Sequence, residues 1–283
     1  MRLSDSTVTI VGLGLMGGSL ALALRGKCRR LVGVARRPET TRLAIESGAV
    51  DHASCDMRPA VQEAGIVILA TPVRHVISAI PEVARNMQPG ALLIDLGSTK
   101  AKVVEAMNAI PANVTAIGGH PMCGKEVDGL EHADGSIFAG ATFVLTPTAR
   151  TTPEALALAH DLAQAVGSRP LVLDAGRHDR AVAVVSHLPF LLASSLIHAE
   201  AAAGAQDVPT HALAASGFRD TSRLGASNVE MMFDILLTNR REVEKALDTF
   251  EHSLAEARAL LDDPARLRLW IAEARDRRRG MFQ

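Results

Sequence analysis

A glycine-rich turn near the N-terminus constrains the fold of this 283-residue chain more than any other feature. The turn follows an apolar run at residues 8–11 and reads Gly-Leu-Gly-Leu-Met-Gly. The first glycine of such a pattern makes a tight turn, the second lets the backbone approach a pyrophosphate, and the third lets a helix pack against the strand. We therefore expect a dinucleotide to bind at this turn, its phosphates at the start of a helix. The predicted cofactor contacts are Gly12, Gly14, Leu15, Met16 and Gly17.

Short apolar runs alternate with helical patterns through the first part of the chain. Uniformly apolar strands of four or five residues are typical of a parallel sheet that helices cover on both faces. We therefore expect an α/β domain over residues 1–175, with a Rossmann-type doubly wound parallel sheet. The predicted strands are residues 8–11, 31–34, 66–70, 92–96, 114–117, 142–145 and 171–173.

After Asp174 the pattern changes to helices alone. Residues 178–203 are predicted to form one long helix that Pro189 kinks, because proline lacks a backbone donor. Farther along, apolar residues recur at spacings of three and four, which is typical of a stripe that packs on another helix or on a partner subunit. We predict an all-α substrate and dimerisation domain over residues 176–283, and a homodimer through it. The stripe consists of Val243, Leu247, Phe250, Leu254, Ala257 and Leu261.

Composition and charge exclude several classes of protein. The net charge of −1 indicates no general affinity for nucleic acid or for an anionic membrane surface. The uncharged apolar stretches are expected to be too short to span a bilayer. Three widely separated cysteines argue against a disulfide framework and favour a cytoplasmic location. The absence of tyrosine excludes any mechanism with a tyrosine acid or base, and nothing in the sequence predicts a metal site.

The second predicted strand bears on which dinucleotide binds. Domains that bind NAD usually end this strand with an acidic residue that holds the ribose hydroxyls. Here Ala35 occupies that position, and Arg36 and Arg37 follow it. A guanidinium suits a phosphate, so the pair favours NADP, with NAD as the alternative and solvated surface charges as the structural interpretation. Thr71 and Pro72, after the third predicted strand, are expected under the cofactor, although a strand-ending turn explains them equally well.

Polar segments follow two later strands and recur in the helical part. They are residues 95–100, 118–126, 186–189 and 216–223. Open α/β folds place their chemistry beyond the carboxyl ends of the strands, where the first two of these segments fall. Together with the glycine turn, these segments closely resemble the prephenate/arogenate dehydrogenase family of tyrosine biosynthesis. The resemblance covers nearly the whole chain, and the segments around His120 and Arg219 are long enough to be specific.

The resemblance implies an oxidative decarboxylation and a role for each matching residue. In this family a hydride leaves the ring carbinol carbon of a cyclohexadienyl acid for the nicotinamide, and the ring carboxylate departs as carbon dioxide. A base must accept the proton of the ring hydroxyl, and a neutral imidazole suits that task. By resemblance His120 is the base, Ser98 orients the same hydroxyl, and Arg219 holds the carboxylate. The other implied substrate contacts are His187, Glu126 and Arg223.

Each of these residues also has a structural interpretation. His120 could simply cap a turn, and Ser98 could be the N-cap of the next helix. The two arginines could pair with Asp220. His187, on an otherwise apolar helix, could equally be a hydrogen-bonded core residue.

One departure from the family pattern bears on the substrate. Many prephenate-using members have a second histidine three residues after the equivalent of His187, associated with the substrate's side chain. Here that residue is Phe190. This departure and the arginine pair after the second strand both resemble arogenate-using members. We therefore predict arogenate as the substrate, with prephenate or dual cyclohexadienyl activity as the alternative.

Two other classes of function remain open from the sequence. The β-hydroxyacid dehydrogenases share the glycine turn, but they carry a catalytic lysine early in the helical domain. After Lys125 the only lysine in this chain is Lys245, in the late amphipathic helix. A protein that senses dinucleotides without catalysis is the third possibility.

Overall fold

The computed structural model of the protein describes residues 1–125, 127–206 and 209–281. One mixed β-sheet forms the first part of the chain. Within those ranges the sheet has eight strands in the order β3-β2-β1-β4-β5-β6-β7-β8. The strands are β1 Thr7–Val11, β2 Arg30–Val34, β3 His52–Ser54, β4 Ile66–Leu69, β5 Leu92–Asp95, β6 Thr115–Pro121, β7 Thr142–Pro147 and β8 Arg169–Val172.

Helices cover this sheet and form most of the chain after it. Those that alternate with the strands are α1 Leu15–Leu24, α2 Pro38–Glu46, α3 Met57–Gln62, α4 Val73–Asn86, α5 Ala101–Asn108 and α6 Pro153–Ala165. Those that follow β8 are α7 Ala175–Val182, α8 Leu188–Gly204, α9 Thr210–Leu213, α10 Ser216–Ser222, α11 Val229–Thr238, α12 Arg240–Leu260 and α13 Pro264–Met281. The predicted fold class, a doubly wound α/β sheet followed by a helical domain, is confirmed.

The strand order places a crevice at one end of the sheet. The chain runs outward from β1 through β2 to β3, then returns to the other side of β1 with β4. Ligands of open α/β sheets bind where the order reverses, beyond the carboxyl ends of the strands. The central strands β4 and β5 are buried at every position, so helices enclose both faces of the sheet and leave that end for function.

The sheet differs from the prediction in two places. β7 runs antiparallel to β6, with His120 opposite Val144, whereas the sequence predicted parallel strands throughout. Between them the described residues form only two short helical turns, Leu130–His132 and Gly135–Phe138, so the chain re-enters the sheet at the end where it left. β3 was not predicted, because it has only three residues and none is an aliphatic residue larger than alanine.

The long helix predicted over residues 178–203 is interrupted by a wide turn close to Pro189. A π-helical turn, Ala183–His187, joins α7 to α8 immediately before Pro189. Proline cannot donate a hydrogen bond to the preceding turn, so the local widening has a physical cause.

The same helical run corrects the expectation about apolar stretches. By length and composition alone, Ala175–Gly204 could cross a membrane, because the helix continues through the kink instead of ending there. A core helix of a soluble protein passes the same test. Only 28% of its most apolar window is buried, but the run carries His178, Asp179 and His187 in buried hydrogen bonds, which favours one face packed against the rest of the protein.

The apolar stripe of α12 is divided between two surroundings. Its first residues, Val243, Leu247 and Phe250, pack with Ala183 and Leu188 in a small core of the helical domain. Farther along the stripe, two leucines are more than half exposed. Thus only the first half of this stripe is covered within one chain.

Candidate active site

The glycine turn after β1 has the geometry that the motif predicts. Gly12 has φ of +103°, and a Cβ there would lie 2.8 Å from the Ala70 carbonyl oxygen and 2.8 Å from a Thr71 methyl carbon. A Cβ on Gly17 would lie only 1.8 Å from the Gly12 carbonyl oxygen. Glycine is therefore required at both positions, at the first for the backbone conformation and at the second for the close approach of α1 to the turn.

The middle glycine faces open space. A Cβ on Gly14 would meet no protein atom within 4 Å. Among the described residues, no side chain caps the N-terminus of α1, where the backbone amides of Leu15 and Met16 begin the helix. An uncapped helix N-terminus next to an exposed glycine fits the pyrophosphate of a dinucleotide. The residues present therefore fit a dinucleotide, in line with the predicted contacts at the turn.

The other predicted cofactor residues lie on the same end of the sheet. Arg36 and Arg37 directly follow β2, the neighbour of β1, and both are exposed. Thr71 and Pro72 follow the end of β4. Thr71 lies against Gly12, since its methyl carbon would be 2.8 Å from a Cβ built on that glycine. Their assignment to the cofactor stays a prediction.

His120 lies inside β6, near its carboxyl end, and not in the loop that the sequence predicted. The strand continues to Pro121, so the imidazole is held by regular backbone on both sides. Its side chain is buried, with 9% of the residue exposed. The turn-capping interpretation of His120 is therefore not supported by its position.

A chain of hydrogen bonds connects His120 to the helical domain. His120 Nδ1 lies 2.8 Å from Nε2 of His178, in α7. Nδ1 of His178 lies 2.7 Å from Oδ1 of Asp179. That carboxylate also accepts hydrogen bonds from the backbone amides of Lys100 (2.7 Å) and Ala101 (2.8 Å) at the start of α5.

A buried ion pair lies behind the same two strand ends. Lys100 and Asp95 are both fully buried, and the Lys100 ammonium donates to the Asp95 carboxylate. Asp95 also accepts hydrogen bonds from the amides of Gly97 (2.7 Å) and Gly119 (3.1 Å). The pair therefore ties the turn that carries Ser98 to the residue before His120.

The electrostatics of this cluster set the protonation states. Burial lowers the pKa of His120 well below its usual value, and His178, Lys100 and His187 nearby lower it further. Burial by itself raises the pKa of Asp179, but the hydrogen bonds from His178 and from two backbone amides outweigh it, so the net pKa is lowered. At neutral pH His120 is therefore an uncharged imidazole, and Asp179 is an anion.

His187 lies deeper than a substrate contact would. It is 1% exposed, and its Nδ1 lies 3.2 Å from Nδ2 of Asn239. The same amide nitrogen donates to the Asp179 carbonyl oxygen at 2.8 Å. This placement favours the interpretation of His187 as a hydrogen-bonded core residue that supports Asp179.

Ser98 lies in the turn after β5 and is half-buried. Asp179 satisfies the first amides of α5, so Ser98 is not needed as the cap of that helix. Its hydroxyl makes no hydrogen bond within the part of the chain that the structure describes. The hydroxyl is therefore available to a ligand at the carboxyl ends of β5 and β6.

The two arginines predicted to contact the substrate, Arg219 and Arg223, are exposed. The side chain of Arg219 is 80% exposed, and its Nε lies 3.8 Å from Oδ1 of Asp220. Arg223 is exposed in the turn after α10. Nearby, Asn228 donates to Asp128, which joins this part of the helical domain to the loop after β6. Glu126, which belongs to that loop, lies outside the described residues.

Sequence reasoning missed the residues that support His120. His178 and Asp179 share a helix face with Val182 and Ala183, and all four are buried. Two adjacent polar residues on an apolar helix face are the signal that could have identified them, because such groups are buried only when paired.

Two family profiles together match most of this chain. The family profile for the prephenate dehydrogenase nucleotide-binding domain matches residues 20–172, and that for the dimerization domain matches residues 174–271. Prephenate dehydrogenase from Bacillus subtilis is 31% identical over 287 residues, covering 99% of this chain and 77% of that protein.

Two solved structures are similar over almost their full length. Prephenate dehydrogenase from A. aeolicus, in complex with hydroxyphenyl propionate and NAD+, superposes with a TM-score of 0.92 at 30% identity, covering 99% of this chain and 100% of that one. Synechocystis arogenate dehydrogenase superposes with a TM-score of 0.83 at 31% identity, covering 97% and 99%. With a nicotinamide-dinucleotide turn, a buried neutral histidine and a matching helical domain, the chain belongs to the prephenate/arogenate dehydrogenase family of oxidoreductases.

Proposed function

We propose that this protein converts arogenate to tyrosine by oxidative decarboxylation, with NADP as the hydride acceptor. The observation that carries the oxidative step is the buried, uncharged imidazole of His120 at the carboxyl end of β6. It lies at the same end of the sheet as the glycine turn that fits the dinucleotide. Prephenate, or both substrates, with NAD(P) is the alternative.

The proposed mechanism uses His120 as a proton acceptor and donor. When bound, the nicotinamide supplies an acceptor for the hydride of the ring carbinol carbon. His120 accepts the proton of the ring hydroxyl, and the half-buried Ser98 orients that hydroxyl. As carbon dioxide leaves, the electron pair of the broken bond enters the ring, and His120 returns the proton to the phenolate oxygen. No net proton is released, and aromatisation supplies much of the driving force, so the protein mainly positions groups.

The remaining predicted residues are proposed to recognise the substrate's charged groups. A guanidinium and a carboxylate form a charge-assisted, often bidentate pair, which suits Arg219 for the ring carboxylate. Arg223 is proposed as a second cationic contact. We assign Glu126 to the substrate's ammonium group or to gating of the site, and we assign His187 to support of the site from within the core.

The preference for arogenate rests on Phe190. This residue is half-buried in α8, one turn after His187. An imidazole at this position suits the keto-acid side chain of prephenate better than an apolar ring does. The similar proteins include enzymes named for both substrates, so only an assay with both substrates decides between them.

The preference for NADP rests on Arg36 and Arg37. Both side chains are exposed beyond β2, and neither forms an ion pair with another described residue. They are therefore available to the 2′-phosphate of NADP. An acidic residue in place of Ala35 would repel that phosphate.

We further propose a homodimer through the helical domain. The family profile that matches residues 174–271 is that of a dimerization domain. The second half of the α12 stripe, with Leu254 54% and Leu261 68% exposed, is available to a second copy. The cytoplasmic location stays a prediction from the cysteine content.

The test is an assay of arogenate and prephenate, each with NAD and with NADP. We expect reduced cofactor and an aromatic product to appear together, with the highest kcat/KM for arogenate with NADP. A higher kcat/KM for prephenate or for NAD would overturn the corresponding preference. Failure of all four combinations would overturn the proposed function.

A further inference from the structure

We propose that His178 and Asp179 are positioning residues that fix the tautomer of His120 and so direct its lone pair toward the substrate. This inference rests on the proposed function of His120 as the base. Neither residue needs to touch the substrate, because both act through the imidazole in β6.

The geometry forms an unbroken sequence of short contacts. Asp179 Oδ1 lies 2.7 Å from His178 Nδ1, and His178 Nε2 lies 2.8 Å from His120 Nδ1. The two imidazole rings meet edge to face, with centroids 5.1 Å apart and planes at 69°. His178 and Asp179 are only 1% and 2% exposed, so water does not compete for these hydrogen bonds.

The direction of each hydrogen bond follows from the carboxylate. An ionised carboxylate only accepts, so His178 must carry its proton on Nδ1. We place no proton on the other nitrogen, Nε2, which is then an acceptor. His120 must therefore donate from Nδ1, which leaves its own Nε2 without a proton. A base needs that free lone pair on the side of the ring away from His178, where the substrate hydroxyl would bind.

The same carboxylate joins the two domains. Asp179 belongs to α7 of the helical domain, yet its oxygens accept the first two amide hydrogen bonds of α5 in the nucleotide-binding domain. Its backbone carbonyl is held in turn by Asn239, next to α12. The tautomer of His120 is therefore linked to the correct seating of the helical domain on the sheet.

If His178 had a purely structural role, it would only donate a hydrogen bond to the buried carboxylate of Asp179, which caps α5. Two substitutions of the same residue separate that role from the positioning role. In His178→Gln, the longer amide reaches the place of Nε2 and can accept from His120. In His178→Asn, the shorter amide reaches the place of Nδ1 and can donate to Asp179. Positioning favours glutamine, whereas satisfaction of the carboxylate favours asparagine.

The kinetic experiment compares these two variants with the unchanged protein. We expect His178→Gln to keep kcat within about tenfold of the unchanged protein, and His178→Asn to lose about 100-fold or more, with KM little changed in both. Thermal melting and cofactor binding verify that both variants fold. Equal kcat values, or a higher kcat for the asparagine variant, would overturn the inference.

A spectroscopic experiment reads the tautomer without turnover. In protein labelled with ¹⁵N-histidine, NMR distinguishes protonated from unprotonated ring nitrogens, and loss of signals in His120→Gln assigns that residue. We expect His120 to carry its proton on Nδ1. In Asp179→Asn one amide group cannot accept from His178 and from both amides of α5, since His178 and the Lys100 amide share Oδ1. The tautomer of His120 should then no longer be fixed, and a measurable fraction of the protein should carry the proton on Nε2. The exposed His252 should show no change.

The outcomes separate this inference from the proposed function. A proton on Nε2 of His120 in the unchanged protein would overturn the inference, even if arogenate is turned over. An unchanged His120 tautomer in folded Asp179→Asn would overturn it as well. If Asp179→Asn does not fold, the two His178 variants decide. Absence of turnover on both substrates would instead overturn the proposed function, whatever the tautomer.

Discussion

The two ends of the candidate site are held in different ways. Around His120 the groups are buried and bonded to their own chain: Lys100 and Asp95 are fully buried, and Asp179 joins two domains. At the proposed carboxylate-binding end, the side chain of Arg219 is 80% exposed and lies 3.8 Å from an equally exposed carboxylate. A buried charge pair is costly to break, whereas an exposed pair contributes about 0–1 kcal/mol.

This difference indicates that the two ends of the site contribute to function in different ways. The proposed base is held in place without a substrate, which is how an enzyme avoids reorganisation during the reaction. The proposed carboxylate-binding arginine is exposed and is expected to be ordered only when a ligand binds. Substitutions in the buried end should therefore change stability and kcat, and substitutions at the exposed end should change KM.

The largest expected effect on stability comes from the buried ion pair. Lys100→Met leaves the carboxylate of Asp95 buried without its partner, so the free energy of unfolding should fall by about 3–5 kcal/mol. Urea unfolding at a fixed protein concentration measures it. The matched control is Lys102→Met, two residues along on the exposed surface of α5, where we expect less than about 0.5 kcal/mol. Similar effects in both variants would remove the contrast between buried and exposed groups.

A second effect on stability depends on pH. Burial lowers the pKa of His187 from 6.5 to about 4. As pH falls through this window, the unfolded chain takes up a proton that the folded protein refuses, so stability decreases, by about 3 kcal/mol in total. Unfolding at pH 7 and at pH 4.5 should show a fall about 2 kcal/mol smaller in His187→Gln than in the unchanged protein. His252→Gln, at an exposed histidine, should show the same decrease in the free energy of unfolding as the unchanged protein. The same decrease in His187→Gln would contradict the account.

At the exposed end, Arg219→Ala should act on substrate binding. Loss of one charge-assisted hydrogen bond should raise KM for arogenate by about 10- to 100-fold, with kcat within a few-fold of the unchanged protein. Initial rates over a range of arogenate concentrations measure both constants. Arg58→Ala removes the same charge from the exposed surface of α3 and should leave both constants unchanged. An unchanged KM in Arg219→Ala would favour the structural ion pair with Asp220.

The smallest effect is expected at the cofactor end. Arg36→Asp should lower the ratio of kcat/KM for NADP to that for NAD by about tenfold, because a carboxylate repels the 2′-phosphate and can hold ribose hydroxyls. Arg42→Asp, on the exposed surface of α2, makes the same charge change and serves as the control. An equal shift in both variants would indicate a general charge effect, and no shift in either would remove the role given to Arg36.

Local patterns predicted much of the fold but little of the support of the base. The glycine turn and the apolar strands are local features, and both have the expected structure. The orientation of β7 depends on what the chain does between two strands, and β3 is too short to produce a pattern. His178 meets His120 across 58 residues of sequence, and no spacing rule detects such a contact.

The glycines of the turn and Arg219 show why some site residues can be predicted from the sequence and others cannot. Gly12 and Gly17 are required by contacts within a few residues or with the adjacent strand, so their role can be predicted from the sequence. Whether Arg219 reaches the substrate depends on how α10 is placed relative to the sheet, which no periodicity encodes. Family resemblance supplied that assignment, and it stays a prediction.

The central claim is that the uncharged imidazole of His120 is the base, and kcat of His120→Asn tests it most directly. Asparagine preserves polarity and similar size but cannot accept the proton. We predict that kcat with arogenate falls by about 100-fold or more, while NADP binds with unchanged affinity. A variant that keeps the kcat of the unchanged protein on both arogenate and prephenate would contradict the account.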